Sequence, residues 1–260
     1  MRRFRLLSAF LLTFFWTSIQ ATAASVDPNT LLAQAIVAVT GGKSVSDVTL
    51  SGAAVWMLGS DQESGTGTLK AKGVAEGRAD VTLTKQTRSE IRNDTSTVPD
   101  GEWIGTDGVA HHMALHNCWV PGGWFSPPAI LAWSIQTGAV PTYVGSETRN
   151  GVLVDHVRIA RTVSGQGPDE TSLIKLLTTI DLYLDATSHL PFSLVFNTHP
   201  DNDASRNIPV EIRFADYRAS SGVNLPFRIQ RLFQGNLNLD VTVSTAAVNS
   251  GLPDSDFTLQ

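Results

Sequence analysis

The chain has 260 residues, of which 42% are hydrophobic and 17% charged, and its formal net charge is −5. Residues 1–24 carry three arginines and no acidic residue, so the remainder holds 16 basic against 24 acidic side chains, a charge of −8. This acidic balance argues against nucleic acid as the partner. The single cysteine, Cys118, excludes an internal disulfide, so a hydrophobic core must hold the fold together. We interpret Cys118 as a small buried apolar residue.

The N-terminus has the pattern of a secretory signal peptide. A basic "MRRFR" precedes the apolar run "LLSAFLLTFFW", and "ATAAS" offers cleavage after Ala23 or Ala24. The run is too short to span a membrane. We therefore predict a signal peptide over 1–24, an exported periplasmic protein without an integral membrane span, and a single domain over 25–260. Because Ala and Ser stand where a lipoprotein has its cysteine, we expect no lipid anchor.

One helix is predicted at the start of the mature chain. In "VDPNTLLAQAIVAVTGG", Asp27 is a candidate N-cap, Pro28 occupies the first helical position, and Gly41 with Gly42 ends the helix.

Beyond this helix the hydrophobic period changes from helical to two. "RADVTLT" (78–84), "VEIRFADY" (210–217) and "LNLDVTVS" (237–244) alternate apolar and polar residues, which is typical of antiparallel strands with one buried face. Turn signals separate the strands, namely Asp107-Gly108, Asn150-Gly151, Ser221-Gly222 and Gln234-Gly235. The pattern predicts a large antiparallel sheet.

The middle of the chain is aromatic and irregular. Residues 116–138 contain prolines and glycines that break strands, although "AILAWSIQ" favours a short helix. "TSLIKLL" (171–177) is either helical or leads into the next strand. The aromatic side chains are either a plug that completes the core or a lid over an apolar pocket. The candidate ligand-binding residues are Trp103, Trp119, Trp124, Phe125 and Trp133.

Catalytic and metal motifs are weak throughout. "HHMALHNC" gathers three histidines and Cys118, but its spacing matches no zinc pattern, and a hairpin would point His111 and His112 to opposite faces. No spacing of Ser, His and Asp predicts a triad. We expect no catalytic residue, no metal and no cofactor.

Two segments repeat the order of turn, Leu-Pro-Phe and strand. Leu190-Pro191-Phe192 and Leu225-Pro226-Phe227 each follow a polar turn, which predicts two strand entries with proline at the first residue. With "IDLYLDATSHLPFSLVF", "IRFADYRASSGVNLPFRIQ" and "VNSGLPDSDFTL", they give residues 181–259 a pattern that resembles the LolA/LolB-like family of bacterial envelope proteins.

The resemblance implies a mainly β fold with a few helices (α+β), an incomplete antiparallel β-barrel of about eleven strands covered by helices and loops. In that family the concave apolar face takes lipid acyl chains, and LolA carries lipoproteins across the periplasm. The family's lid-contacting arginine corresponds to Arg88 or Arg92 in this sequence.

Three functions stay open at this point. A carrier of lipid or lipoprotein acyl chains predicts an apolar cavity, and an envelope sensor that binds a protein partner predicts an exposed apolar surface. An exported hydrolase, the least favoured, predicts Ser, His and Asp within hydrogen-bond reach.

Overall fold

The computed structural model describes residues 26–96, 98–162, 165 and 167–260, so the predicted signal peptide lies outside the described residues. Within this part of the chain there are three α-helices and thirteen strands. The helices are α1 (Pro28–Thr40), α2 (Pro127–Ser134) and α3 (Pro168–Thr178). The strands are β1 (Asp47–Leu58), β2 (Asp61–Lys72), β3 (Glu76–Leu83), β4 (Thr87–Asn93), β5 (Asp100–Ile104), β6 (Ala110–His112), β7 (Ala139–Arg149), β8 (Val152–Arg161), β9 (Ile180–Asp185), β10 (Pro191–Thr198), β11 (Ile208–Ser220), β12 (Val223–Phe233) and β13 (Asn236–Val248).

All thirteen strands belong to one antiparallel sheet. Its order is β6-β5-β4-β3-β2-β1-β13-β12-β11-β10-β9-β8-β7, so the chain starts in the centre, runs out to one edge and returns from the other. The sheet is open, with β6 and β7 as its edges, which confirms the predicted incomplete barrel. The strand number exceeds the expected eleven, and the count includes two short strands, β5 and β6, at one edge.

The topology explains the irregular middle segment. Because β6 and β7 are opposite edges of the sheet, residues 113–138 must cross from one edge to the other, and we call this segment the crossover. Its apolar side chains join the main core cluster with the inward faces of the strands, and α2 packs against α1. The crossover residues in this core cluster are Val120, Trp124, Phe125, Ala129, Ile130, Leu131 and Trp133.

Backbone glycine lets the crossover approach the sheet closely. A Cβ at Gly77 on β3 would lie 2.0 Å from the carbonyl oxygen of Gly122. Real Cβ atoms do not approach backbone this closely, so glycine at position 77 is what allows the two backbones to touch.

The local predictions for helices and turns are confirmed. The Asp27 carboxylate accepts hydrogen bonds from the first-turn amides of α1, and Gly41 ends the helix with a φ of 60°. "TSLIKLL" lies in α3, which resolves the alternative in favour of helix. The predicted two-residue hairpins have positive φ at both central residues, Asn150-Gly151, Ser221-Gly222 and Gln234-Gly235, as type I′ turns require.

The Leu-Pro-Phe prediction is half right. Pro191 is the first residue of β10, as expected, but Pro226 is the fourth residue of β12, which begins at Val223. Pro226 pairs with Tyr217, next to an irregularity at Asp216, whose φ is 55°. The pairing of β12 with β13 begins only at Arg228, so the missing N–H of Pro226 leaves that ladder intact.

Candidate functional site

Strand β4 places three charged side chains on the concave face. Glu90 lies opposite Ala79 on β3 and Trp103 on β5, and directly opposed residues share a face. Side chains alternate along a strand, so Arg88 and Arg92 point to the same side as Glu90. The alternate residues, Ser89 and Ile91, face the convex side of the sheet. There the C-terminal turn Asp254–Phe257 packs on β3 and β4.

Glu90 holds a buried ionic network together. Its Oε1 accepts hydrogen bonds from Nε of Arg92 at 2.9 Å and from the indole N–H of Trp124 at 3.0 Å. Its Oε2 accepts a bond from Arg231 at 2.9 Å. Burial raises the pKa of Glu90, but the charges of Arg92 and Arg231 and the hydrogen bonds from Arg92 and Trp124 outweigh burial and lower the pKa to about 2.

Arg231 reaches this network from a distant strand of the same sheet. It lies on β12, in a cross-strand row with Leu239 and Trp56, and only 7% of it is exposed. A guanidinium NH2 donates to Asn238 at 3.2 Å, and the guanidinium carbon lies 5.0 to 5.3 Å from the ring centroids of Trp124, Trp56 and Phe233. Burial lowers the pKa of Arg231 and Glu90 opposes that shift. Aromatic faces and one carboxylate thus hold a desolvated cation.

Arg92 ties the crossover to the same network. Its guanidinium donates to the carbonyl oxygen of Asn117, at the start of the crossover. The Asn117 side chain in turn bonds the backbone N–H and C=O of His199, both at 2.8 Å, just after β10. The crossover is therefore anchored at β4 and at the end of β10 by buried polar contacts.

Two neighbouring cavities open beside Arg231 and Trp56. The first, of about 150 Å³, is lined by Trp56, Arg88, Glu90, Trp103 and Arg231 together with apolar residues of β3, β5 and β13. The second, of about 410 Å³, shares Trp56, Glu90 and Arg231 and continues along Met57, Leu58, Phe233 and Leu237. Neither lining includes a crossover residue. The concave face is thus filled by the crossover at one end and open at the other.

The sequence-predicted aromatic residues do not form one group. Trp124, Phe125 and Trp133 are packed in the core, each at most 2% exposed, and Trp119 is half-buried. Trp103 is 39% exposed at the wall of the first cavity, where it stacks on His111 at 4.3 Å between ring centroids. Of these five aromatic side chains, Trp124 is the one that donates a hydrogen bond to Glu90 of the ionic network. That these aromatics form a lid over a ligand stays a prediction.

The two candidate lid arginines have different surroundings. Arg92 is buried and contacts the crossover through Asn117, whereas Arg88 lines the first cavity with its guanidinium carbon 4.6 Å from the Trp56 ring centroid. Arg231, Glu90 and Trp56 were not among the sequence candidates. For Arg231 the sequence held a signal, because in "PFRIQRLF" it shares the alternate positions of apolar residues that face the core. For Glu90 there was none, since "TRSEIRN" shows no apolar alternation.

The histidines and Cys118 are engaged separately. His111 bonds Asp107 at 2.7 Å, and His116 bonds the carbonyl oxygen of Pro200 at 3.1 Å. Cys118 is buried, and burial raises the pKa of its thiol to about 11. Within the described residues, no three side chains of His, Cys, Asp or Glu lie close enough together to hold a metal ion.

Within the described residues, two histidines bond a carboxylate, His111 to Asp107 and His156 to Asp181. No hydrogen bond to a serine or threonine hydroxyl is found for either ring in that part of the chain.

Every helix in the described part of the chain is too short or too polar to cross a membrane.

Comparison with known proteins finds its matches among solved structures. No family model matches the sequence, and no curated protein does either. A putative outer membrane lipoprotein-sorting protein domain from Vibrio parahaemolyticus matches with a TM-score of 0.56 and 13% identity over 89% of this chain and 97% of that one. A LolA superfamily protein from Nitrosomonas europaea matches with a TM-score of 0.55 and 12% identity over 90% and 98%.

A DUF1329 family protein from Desulfovibrio piger gives a TM-score of 0.54 and 10% identity over 90% of this chain and 100% of that one. Identities this low bear on the fold alone. The three structural matches confirm, over about 90% of this chain, the fold that the C-terminal resemblance predicted. This protein has the open, LolA-like half-barrel fold.

Proposed function

We propose that this is a non-enzymatic, exported periplasmic protein that binds an apolar ligand, a lipid or a lipoprotein acyl chain, in the concave face of its half-barrel. The observation that carries the proposal is the pair of cavities around Trp56, which apolar strand side chains line together with Glu90 and Arg231 and whose linings include no crossover residue. The fold shared with the putative outer membrane lipoprotein-sorting protein domain supports it. We extend the proposal to a role in envelope lipid or lipoprotein transport.

Cavity size indicates how such a ligand would lie. A volume of about 150 Å³ accommodates a benzene-sized group, so an acyl chain also needs the 410 Å³ cavity beside it. Each methylene buried there stabilises the complex by about 0.8 kcal/mol. The free energy of binding should therefore depend on chain length more than on any single hydrogen bond.

The first experiment is native mass spectrometry of the mature protein, purified from an envelope fraction without detergent. Added mass that organic extraction identifies as a phospholipid, a fatty acid or a lipopeptide supports the proposal. A clean apo mass, unchanged after incubation with lipids and lipopeptides, contradicts it.

A chain-length series makes the test quantitative. Lengthening an alkyl probe by two methylenes should tighten binding by about fifteenfold, from about 1.6 kcal/mol of buried chain. Trp103→Ala removes part of the wall of the first cavity, so it should weaken the binding of every probe in the series. Trp133→Phe is the matched control, because Trp133 lies in the core and lines neither cavity. Affinity that is independent of chain length, or equally sensitive to both substitutions, would count against binding in these cavities.

A second candidate function is a sensor or interaction module that binds an envelope protein. It is favoured by exposed apolar side chains on the edge strand β7 and on α3, namely Val140, Val144, Leu173 and Leu176. An exposed strand edge can pair with another chain. The clean apo mass that contradicts the carrier would favour this alternative.

A further inference from the structure

Three buried N–H groups at the wall of the 150 Å³ cavity have no protein acceptor among the described residues. They are Nε of Arg88, Nε of Arg231 and Nε1 of Trp56. Buried donors are nearly always paired, because an unpaired one loses its hydration without compensation. The Arg231 side chain is more than nine-tenths buried, so its unpaired Nε is the strongest of the three observations.

The same wall carries an excess of positive charge. The lining holds two guanidinium groups, Arg88 and Arg231, and one carboxylate, Glu90, which leaves one positive charge at the wall of a chain whose net charge is −5. Glu90 is also bonded by Arg92, which lies outside the lining. Glu63, the cross-strand neighbour of Trp56, has its Oε1 3.6 Å from Nζ of Lys85, and its buried Oε2 has no hydrogen-bond partner among the described residues. No carboxylate of the described residues forms an ion pair with Arg88.

The two guanidinium groups also share one aromatic ring. The guanidinium carbons of Arg88 and Arg231 lie 4.6 and 5.3 Å from the ring centroid of Trp56. Both are within the range of a cation–π contact, which orients the groups and leaves N–H edges for hydrogen bonds. The second cavity begins at the same ring and runs along Phe233 and Leu237.

From this arrangement we infer that the cavity wall formed by Arg88, Arg231 and Trp56 binds the oxyanion of an amphiphile, whose tail lies along Phe233 and Leu237. The oxyanion is the carboxylate of a fatty acid or the phosphate of a lipid headgroup. Arginine donors suit both, since the guanidinium edge matches two oxygens at once. The inference rests on the proposed function and adds that the ligand is anionic.

The test compares three probes of equal chain length, used below their micelle concentrations at low ionic strength. Dodecanoate and undecyl phosphate carry an oxyanion on eleven alkyl carbons, and dodecanamide carries a neutral head on the same chain. Isothermal titration calorimetry gives the dissociation constants for wild type and for Arg88→Gln. This variant should fold, because Arg88 forms no ion pair with another described residue and the substitution therefore breaks none. Arg228→Gln is the control, since Arg228 lies on β12 with its side chain 54% exposed and bonded to Asp240.

We expect at least one anionic probe to bind wild type about tenfold or more tighter than the amide, from one or two charge-assisted hydrogen bonds. Arg88→Gln should remove most of that preference, so that the dissociation constants of the anions and the amide become similar, whereas Arg228→Gln should leave the ratio of these constants unchanged. The tighter of the two anions identifies the source as a fatty acid or a phosphate headgroup.

Three results would overturn the inference. If all three probes bind wild type within about twofold, the apolar function stands and the anionic ligand is refuted. If Arg228→Gln weakens the anions as much as Arg88→Gln, general surface charge is responsible and not this cavity. If no probe binds at all, the proposed function fails together with the inference.

Discussion

Replacing Glu90 by glutamine removes the carboxylate that holds two buried guanidinium groups. Arg92 and Arg231 each keep only 9% of the side chain exposed, and Glu90 itself keeps 20%. Removing one partner from a buried ion pair costs about 3–5 kcal/mol, because the other charge stays desolvated and unpaired. Glutamine keeps an oxygen for the indole N–H of Trp124, so we expect a loss at the lower end, about 3 kcal/mol of unfolding free energy at neutral pH.

The pH dependence gives an independent measure of the same energy. The pKa of Glu90 is about 2 in the folded protein against an ordinary value of 4.5. At ~1.4 kcal/mol per pH unit, this difference also corresponds to about 3 kcal/mol. Because the folded state favours the ionised form, the stabilisation is complete above pH 4.5 and is lost as the pH falls toward 2. The stability difference between wild type and Glu90→Gln should therefore shrink over this window.

Urea denaturation followed by tryptophan fluorescence, at about pH 7, 4 and 3, measures both quantities. Asp216→Asn is the matched control. Asp216 and Arg218 are also an acid and an arginine two residues apart on one strand, but their side chains are 49% and 57% exposed. Exposed pairs contribute at most about 1 kcal/mol. The reasoning is refuted if Glu90→Gln is no more destabilising than this control, or if its effect stays constant as the pH falls.

Three further substitutions or reactions separate core from site. Gly77→Ala should lower the free energy of unfolding by about 1–3 kcal/mol, because the added Cβ would lie 2.0 Å from the Gly122 carbonyl oxygen. Gly67→Ala should be tolerated, because its Cβ would meet only side chains, the nearest at 3.4 Å. Equal denaturation midpoints for the two variants would contradict this. Trp133→Ala should lose about 3–5 kcal/mol and the part-exposed Trp103→Ala far less, as urea titration would show. Cys118, with its pKa raised to about 11 by burial, should react with iodoacetamide only after unfolding, and rapid labelling of the folded protein would refute that.

The sequence predicted the features that depend on neighbouring residues. The first helix was readable from Asp27, Pro28 and Gly41, because capping and termination are satisfied within one helical turn. The two-residue hairpins were readable from their Asn-Gly, Ser-Gly and Gln-Gly pairs, since positive φ selects for such residues. Alternation over 78–84 and 210–217 predicted buried faces that the structure confirms.

The position of the aromatic middle segment was decided by the topology. The sequence left open whether the tryptophans form a plug or a lid, because both need large apolar side chains in irregular backbone. The strand order makes β6 and β7 opposite edges, so residues 113–138 must cross the concave face, and Trp124, Phe125 and Trp133 are packed there.

The candidate site likewise exists only in the tertiary structure. Glu90 and Arg231 are separated by 141 residues and meet because β4 and β12 curve toward each other across the half-barrel. A local pattern places a charged residue on one face of its strand, but it does not specify which distant strand supplies the partner. That pairing depends on the curvature and closure of the whole sheet, which the core and the crossover set together.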